Sequence, residues 1–283
     1  MLCPLQQARL AAHLKLIEKG YPLESAFFAT LFSDQIDPHI KDLICSYTRI
    51  LAFSFTAELI NSIRQITDRP CIRIPPRPTA REKIHVTEFL MKNLTDAGLL
   101  NAADLNVEIS PANRQQALGT DRSFDAAKII IHPGAGSIRK RWPLSKFLKI
   151  AAVLTQRGLR PHFICGPAEP DLTVELQHQN QPVYHLSELP DLADWLETAG
   201  GYIGNDSGVS HLAAFLGLPS VVIFGPTDPI RWRPVGPRVE IVQPELDCTP
   251  CFEIEPENCA RPACLADASL ESVLVAFDRL YRR

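Results

Sequence analysis

The feature that most constrains this chain is the run Ser220-Val221-Val222-Ile223-Phe224, with Gly217 shortly before it and Gly225 after it. A short, uninterrupted apolar run of this kind suits a strand covered on both faces, as in a parallel sheet flanked by helices. It does not stand alone. Ile129-Ile130-Ile131, Pro161 to Cys165, Val183 to His185 and the stretch ending at Tyr202-Ile203 read as further strands. Between them, Ser145–Arg157, Asp171–His178, Pro190–Thr198 and Gly208–Leu216 carry helical spacing. Strand and helix alternating over short loops imply parallel strands joined by right-handed crossovers, so residues from Lys128 onward predict a doubly wound sheet. Ser269 to Tyr281, with Leu270, Val273, Leu274, Phe277 and Leu280 on one stripe, is the closing helix.

The first hundred residues read as mixed α/β. Leu5–Lys19, Glu58–Ile66 and Arg81–Ala97 have helical spacing, while Arg49–Phe55 and Cys71–Ile74 are strand candidates. Patterning weakens from Asn101 to Ala127, which places the boundary between an N-terminal domain, 1–120, and a C-terminal domain, 121–283. The last helix is expected to pack back on the N-terminal domain. At 283 residues, two domains of ordinary size are expected. A net charge of −3 and pI near 6.2 argue against a polyanion such as nucleic acid as partner. No stretch approaches the roughly 18 apolar residues of a membrane span, and Met1–Leu16 lacks the layout of a signal peptide. The expected location is the cytoplasm.

Ligands of doubly wound sheets lie outside the carboxyl ends of the strands, so the loops there carry the functional reading. After Ile131 come Gly134, Gly136, Ser137 and the cations Arg139, Lys140 and Arg141, a combination suited to a phosphate. The alternative is a tight turn followed by a solvated basic stretch. After Cys165 comes Glu169, whose carboxylate suits a ribose diol, or a surface Glu near a helix start. After Ile203 come Asn205-Asp206-Ser207-Gly208, an N-cap and helix start that form an anion site fit for a diphosphate, with His211 one turn further on. His211 reads equally as a structural histidine. After Phe224 comes Gly225-Pro226-Thr227-Asp228, a polar turn or a plain loop. The weight lies in four successive loops on one sheet edge sharing this chemistry. Neither a Gly-x-Gly-x-x-Gly after a strand nor a P-loop is present.

His132-Pro133-Gly134 with Lys140-Arg141-Trp142-Pro143, Gly166 with Glu169, Asn205-Asp206-Ser207-Gly208 with His211-Leu212-Ala213, and Phe224-Gly225-Pro226-Thr227 resemble the ordered signature of glycosyltransferase family 9, which includes the heptosyltransferases of lipopolysaccharide cores. The resemblance spans Ile129 to Cys264. It implies a GT-B fold, two Rossmann-like domains facing a cleft, with the N-terminal one incomplete here. It implies that Ser137 and Lys140 contact the donor diphosphate, that Glu169 holds the ribose, and that Asp206, Ser207, Gly208 and His211 line the diphosphate and sugar site. ADP-heptose is the implied donor and a lipid-linked saccharide the implied acceptor, with peripheral contact at the inner face of the cytoplasmic membrane. Transfer requires no cofactor. The family's base is an Asp in a Gly-Asp segment after the first N-terminal strand. The sequence shows neither that strand nor that segment, and Asp34 and Asp37 are the candidate substitutes. The expectation is therefore a chain that binds nucleotide and transfers sugar poorly, with a translation start placed too far downstream as the simplest cause. The alternatives are a nucleotide-binding module without catalysis and a nucleotide-sugar epimerase.

Cys248, Cys251, Cys259 and Cys264 supply four thiols to one tail segment. They are a candidate structural zinc site, or a loop with free thiols or a disulfide.

Overall fold

The structure is a computed structural model that describes residues 1–33, 35–101, 124–245, 250–253 and 264–281. The chain divides into two compact units, Met1–Glu108 and Ile109–Arg283.

The first unit contains two strand–helix–strand motifs. Strand β1 (Leu2–Cys3) pairs in parallel with β2 (Tyr21–Pro22), and helix α1 (Leu5–His13) connects them. Strand β3 (Ile50–Phe53) pairs in parallel with β4 (Cys71–Ile74) around α4 (Glu58–Arg64). Between the motifs lie α2 (Ala26–Ala29) and α3 (Pro38–Cys45), and α5 (Val86–Asp96) follows them. Asp37 starts α3: its Oδ1 accepts from the His39 amide at 2.8 Å and Pro38 occupies the first turn. Phe28, Leu31 and Ile40 form one buried cluster of this unit, with Leu2, Tyr21 and Leu59 packed against it. The expectation of a chain without an opening strand is corrected here, since β1 precedes α1. It is two residues long and is followed by Pro4.

The second unit is a six-stranded, all-parallel sheet in the spatial order β10-β9-β8-β5-β6-β7. Its strands are β5 (Asp125–His132), β6 (Arg160–Cys165), β7 (Val183–His185), β8 (Ala199–Asn205), β9 (Ser220–Ile223) and β10 (Val239–Val242). Helices α6 (Leu144–Gln156), α7 (Pro170–His178), α8 (Leu189–Glu197), α9 (Gly208–Phe215) and α10 (Pro229–Trp232) lie in the connections, and α11 (Leu270–Tyr281) closes the unit. Every residue of β8 and β9 is buried, which accounts for their apolar sequences. Ile129, Ile131, Phe163, Ile203, Val221 and Ile223 meet Phe147, Ile150 and Leu154 of α6 in one core. Helix α11 buries Val273, Ala276, Phe277 and Leu280 in that same core, so its apolar stripe is satisfied within its own unit.

The order has a direct consequence. Strands β5, β6 and β7 run outward to one side, and the chain then returns to build β8, β9 and β10 on the other. The reversal falls between β5 and β8, which pair with Ile131 opposite Ile203 and His132 opposite Gly204. Their carboxyl ends are level, and the loops leaving them diverge to opposite faces. This is the crevice where doubly wound sheets hold nucleotides.

Candidate functional site at the switch point

The loop after β5 descends from His132 to Trp142 and is fastened at its far end. The Trp142 amide donates to Asn205 Oδ1 (3.0 Å), and Asn205 Nδ2 donates to the carbonyls of Pro133 (2.8 Å) and Gly134 (3.3 Å). Asn205 is fully buried, so one side chain at the end of β8 clamps both ends of the β5 loop. The Trp142 indole, also buried, donates to Ala268 O at 3.1 Å. Within the loop, Ser137 Oγ accepts from the Arg139 amide (3.3 Å) and starts a single 3₁₀ turn, Ile138–Lys140. That turn aims Lys140 across the crevice. Its Nζ lies 2.9 Å from Asp206 Oδ2. The same oxygen accepts from Thr227 Oγ1 at 2.7 Å. Three strand ends thus converge on one carboxylate.

Helix α9 begins beside it. Ser207 is the N-cap, with Oγ 3.4 Å from the Ser210 amide. Gly208, at the first helical position, is exposed, so the leading end of α9 is open to solvent beside Asp206. Ser207 Oγ also lies 3.4 Å from His132 Nδ1. His132 is buried and held neutral. Burial, and then the charge of Arg141, push its pKa down to about 4. Beneath the helix start, Ser210 Oγ donates to Asn205 O and sits 2.9 Å from the Tyr202 hydroxyl, whose pKa burial drives well above the ordinary tyrosine value. His211 stands one turn into α9, half-buried, with its amide bonded to Ser207 O at 3.3 Å.

Glu169 approaches from the β6 side. It is only 6% exposed, and its Oε2 accepts from the Gly166 amide at 2.8 Å. It lies directly against Gly134. A methyl group at Gly134 would fall 2.6 Å from the Glu169 carboxyl and 2.7 Å from His132 Nε2, so any larger residue there must displace these two side chains. Phe252 covers the cations: its ring centroid is 5.3 Å from Lys140 Nζ and 5.7 Å from the Arg139 guanidinium carbon. The Phe252 amide donates to Pro226 O (3.0 Å), and Glu253 bonds to the buried Arg231 and to Trp232 Nε1.

The structure therefore joins Lys140 and Asp206 directly, places Ser207 and Gly208 at the adjacent helix start, and makes Ser137 the cap of the turn that carries Lys140. It also shows Asn205, Thr227, His132 and Phe252 in structural or electrostatic contact with these groups. The motif reading named the first three without giving them a role, and Phe252 had no signal. Of the candidate bases, Asp34 lies outside the described residues and Asp37 is the cap of α3. Of the four tail cysteines, Cys248 and Cys259 lie outside the described residues. Cys251 Sγ accepts from Arg139 at 3.6 Å, and Cys264 is buried. Among the described residues no cluster of His, Cys, Asp and Glu is arranged to hold a metal ion, and no helix is long and apolar enough to cross a membrane.

A doubly wound parallel sheet with a lysine, an N-capped helix start and a buried glutamate around its switch point has the Rossmann-like architecture of the domains of GT-B proteins. The sequence profile of glycosyltransferase family 9 (heptosyltransferase) matches residues 85–260, and the chain belongs to that family. Lipopolysaccharide heptosyltransferase 3 of Escherichia coli K12 is 29% identical over 164 residues, covering 53% of this chain and 48% of that protein. Lipooligosaccharide heptosyltransferase 2 of Campylobacter jejuni (strain NCTC 11168) is 31% identical over 155 residues, covering 51% and 48%. The chain spans about half the length of these curated relatives. The family 9 glycosyl transferase of Veillonella parvula superposes with a TM-score of 0.73 at 16% identity, covering 99% of this chain and 87% of that one. The E. coli heptosyltransferase WaaC with ADP gives 0.71 at 16%, covering 98% and 88%. These likenesses show the fold.

Proposed function

We propose that this chain binds a nucleoside diphosphate sugar at the switch point and transfers the sugar to an acceptor hydroxyl, with ADP-heptose as donor and a lipid-linked saccharide of the lipopolysaccharide-core type as acceptor. The observation that carries the reading is the convergence of Lys140, Asp206 and the start of α9 on one crevice. Breaking the sugar–phosphate bond leaves negative charge on the departing diphosphate. Lys140 and the amides at Ser207–Gly208 are placed to stabilise that charge as it grows. Glu169, fixed by the Gly166 amide, takes the ribose diol. Asp206 and His211 line the sugar side, and Ser137 holds the lysine turn in place. The names of the relatives support a heptose donor, and the ADP in the WaaC structure supports an adenine base. The acceptor side, at the inner face of the cytoplasmic membrane, rests on the family alone.

Calorimetric titration of the 283-residue chain with ADP, UDP and GDP tests the donor. ADP is expected to bind most tightly, and tighter UDP binding overturns the assignment. Lys140→Ala should weaken ADP by about 1.5–3 kcal/mol, the scale of a charge-assisted hydrogen bond. Unchanged affinity would show that the diphosphate lies elsewhere. Transfer of labelled heptose to a core-type acceptor separates an enzyme from a binding module. Alteration of the free donor without acceptor would indicate an epimerase instead.

A further inference from the structure

We propose that Thr227 is a positioning residue for the donor diphosphate: its hydroxyl donates to Asp206 Oδ2 and thereby fixes the carboxylate that holds Lys140 at the anion site. The inference rests on the diphosphate reading above and assigns part of its specificity to the loop after β9.

The geometry is a shared acceptor. Thr227 Oγ1 lies 2.7 Å, and Lys140 Nζ 2.9 Å, from the same oxygen. Asp206 and Thr227 are each 5% exposed, so water cannot readily replace either partner. A lysine ammonium is otherwise a mobile point charge on a four-carbon stem. Here it is held by Asp206 and lies 5.3 Å from the Phe252 ring centroid. Phe252 is tied through its amide to Pro226, the residue before Thr227. The β9 loop therefore reaches Lys140 through two contacts, Thr227 by way of Asp206 and Pro226 by way of Phe252.

Thr227 has a second effect. A carboxylate beside an anion site repels the incoming diphosphate. A hydroxyl donated to it offsets part of that charge without adding a cation that would compete for the ligand. An ammonium has three donors, so Lys140 can keep Asp206 and still bind phosphate oxygen. Without the Thr227 hydroxyl, Asp206 Oδ2 depends on Lys140 alone. The lysine is then drawn toward the carboxylate, and the crevice becomes more negative. Both changes oppose a diphosphate and leave the nucleoside untouched.

The test uses the full chain and two probes: whichever of ADP, UDP and GDP the wild type binds most tightly, and the matching nucleoside. Thr227→Val keeps the side-chain shape and removes the donor. It should weaken the diphosphate about tenfold, one hydrogen bond to a charged group, and change nucleoside binding by less than about twofold. Thr227→Ser should recover most of the lost affinity. In a Lys140→Ala background the Thr227→Val effect should shrink to the part that comes from the Asp206 charge alone, because the remainder acts through the lysine. Should Thr227→Val not fold, Thr227→Cys, similar in size and a weak donor, carries the same expectation in direction. Equal losses for diphosphate and nucleoside, no loss at all, or the full loss persisting without Lys140 would each overturn the inference. Wild-type binding that falls with Lys140→Ala but not with Thr227→Val overturns it alone. A wild type that binds none of the three diphosphates overturns the underlying reading as well.

Discussion

Replacing Asn205 with aspartate is a change of one atom type at the point where the site is clamped. Asn205 is fully buried and makes three hydrogen bonds to backbone, and their chemistry fixes which way the amide faces. The Trp142 amide is a donor, so Oδ1 must face it, and the carbonyls of Pro133 and Gly134 are acceptors, so Nδ2 must face them. Asn205→Asp keeps the first bond and turns an oxygen toward the two carbonyls, 2.8 Å and 3.3 Å away. The substituted side chain must then bury a charge or bind a proton to restore one donor. Two carbonyl acceptors lose their partner, each at about 1–3 kcal/mol when buried. A destabilisation of roughly 2–5 kcal/mol is expected, a large share of a typical domain's stability. Urea unfolding followed by tryptophan fluorescence measures it, and Trp142 is itself part of the clamp. The penalty should be larger at pH 8 than at pH 5, where protonating the new carboxyl is easier. A loss below about 0.5 kcal/mol at both pH values would refute the claim that Asn205 joins β5 to β8.

Three other changes test the remaining contacts. His132, with its pKa at about 4 against an ordinary 6.5, stays neutral in the folded protein after the unfolded chain has taken up a proton. Stability should therefore be unaffected by this group above about pH 6.5, and fall by up to about 3 kcal/mol as pH drops toward 4. Unfolding titrations of wild type and His132→Gln should show a shallower acid slope in the variant, and equal slopes would contradict the assignment. Gly134→Ala should cost about 1–3 kcal/mol and abolish measurable ADP binding, since the added methyl meets Glu169 and His132 at 2.6–2.7 Å. Normal ADP titration of this variant would show that the loop gives way without consequence. Phe252→Ala should weaken ADP about two- to fivefold by removing a ring from beside two cations. Unchanged affinity would show that the ring only covers the loop.

The second unit is legible in sequence because burial on both faces leaves few residues to choose from. The apolar run predicts a strand over Ser220–Phe224, and β9 is Ser220–Ile223. The spacing predicts a helix over Gly208–Leu216, and α9 is Gly208–Phe215. Where burial is partial the signal fades. Among the described residues β10 pairs only with β9, and it carries Glu240 among its four residues and lies between prolines, so nothing marks it as a strand. α3 opens on Asp37-Pro38, a pair that turns favour as well. The same two residues are a cap and a first-turn proline once Ile40 has a core to enter. β1 and β2 are two residues each, shorter than any pattern can register.

The site divides along a different line. Its residue types were legible because topology brings strand-end loops together before any side chain is considered. What each residue does was not, and Asn205 and Asp206 show why. They are adjacent, both polar and both buried. At the end of a strand, successive side chains point to opposite sides. Asn205 therefore turns into the β5 loop and meets three backbone groups from residues 63 to 72 positions earlier. Asp206 turns toward the crevice and meets Lys140 and Thr227. One holds the scaffold and the other faces the crevice, yet a motif read along the chain gives them equal standing. Thr227 is hidden for the same reason. Its partner is 21 residues away on the neighbouring strand end, and the parallel register that aligns Asn205 with Ile223 is what brings the two loops level. Substitutions at 205 and 206 should separate cleanly: the first should be read mainly in unfolding, and the second mainly in diphosphate affinity.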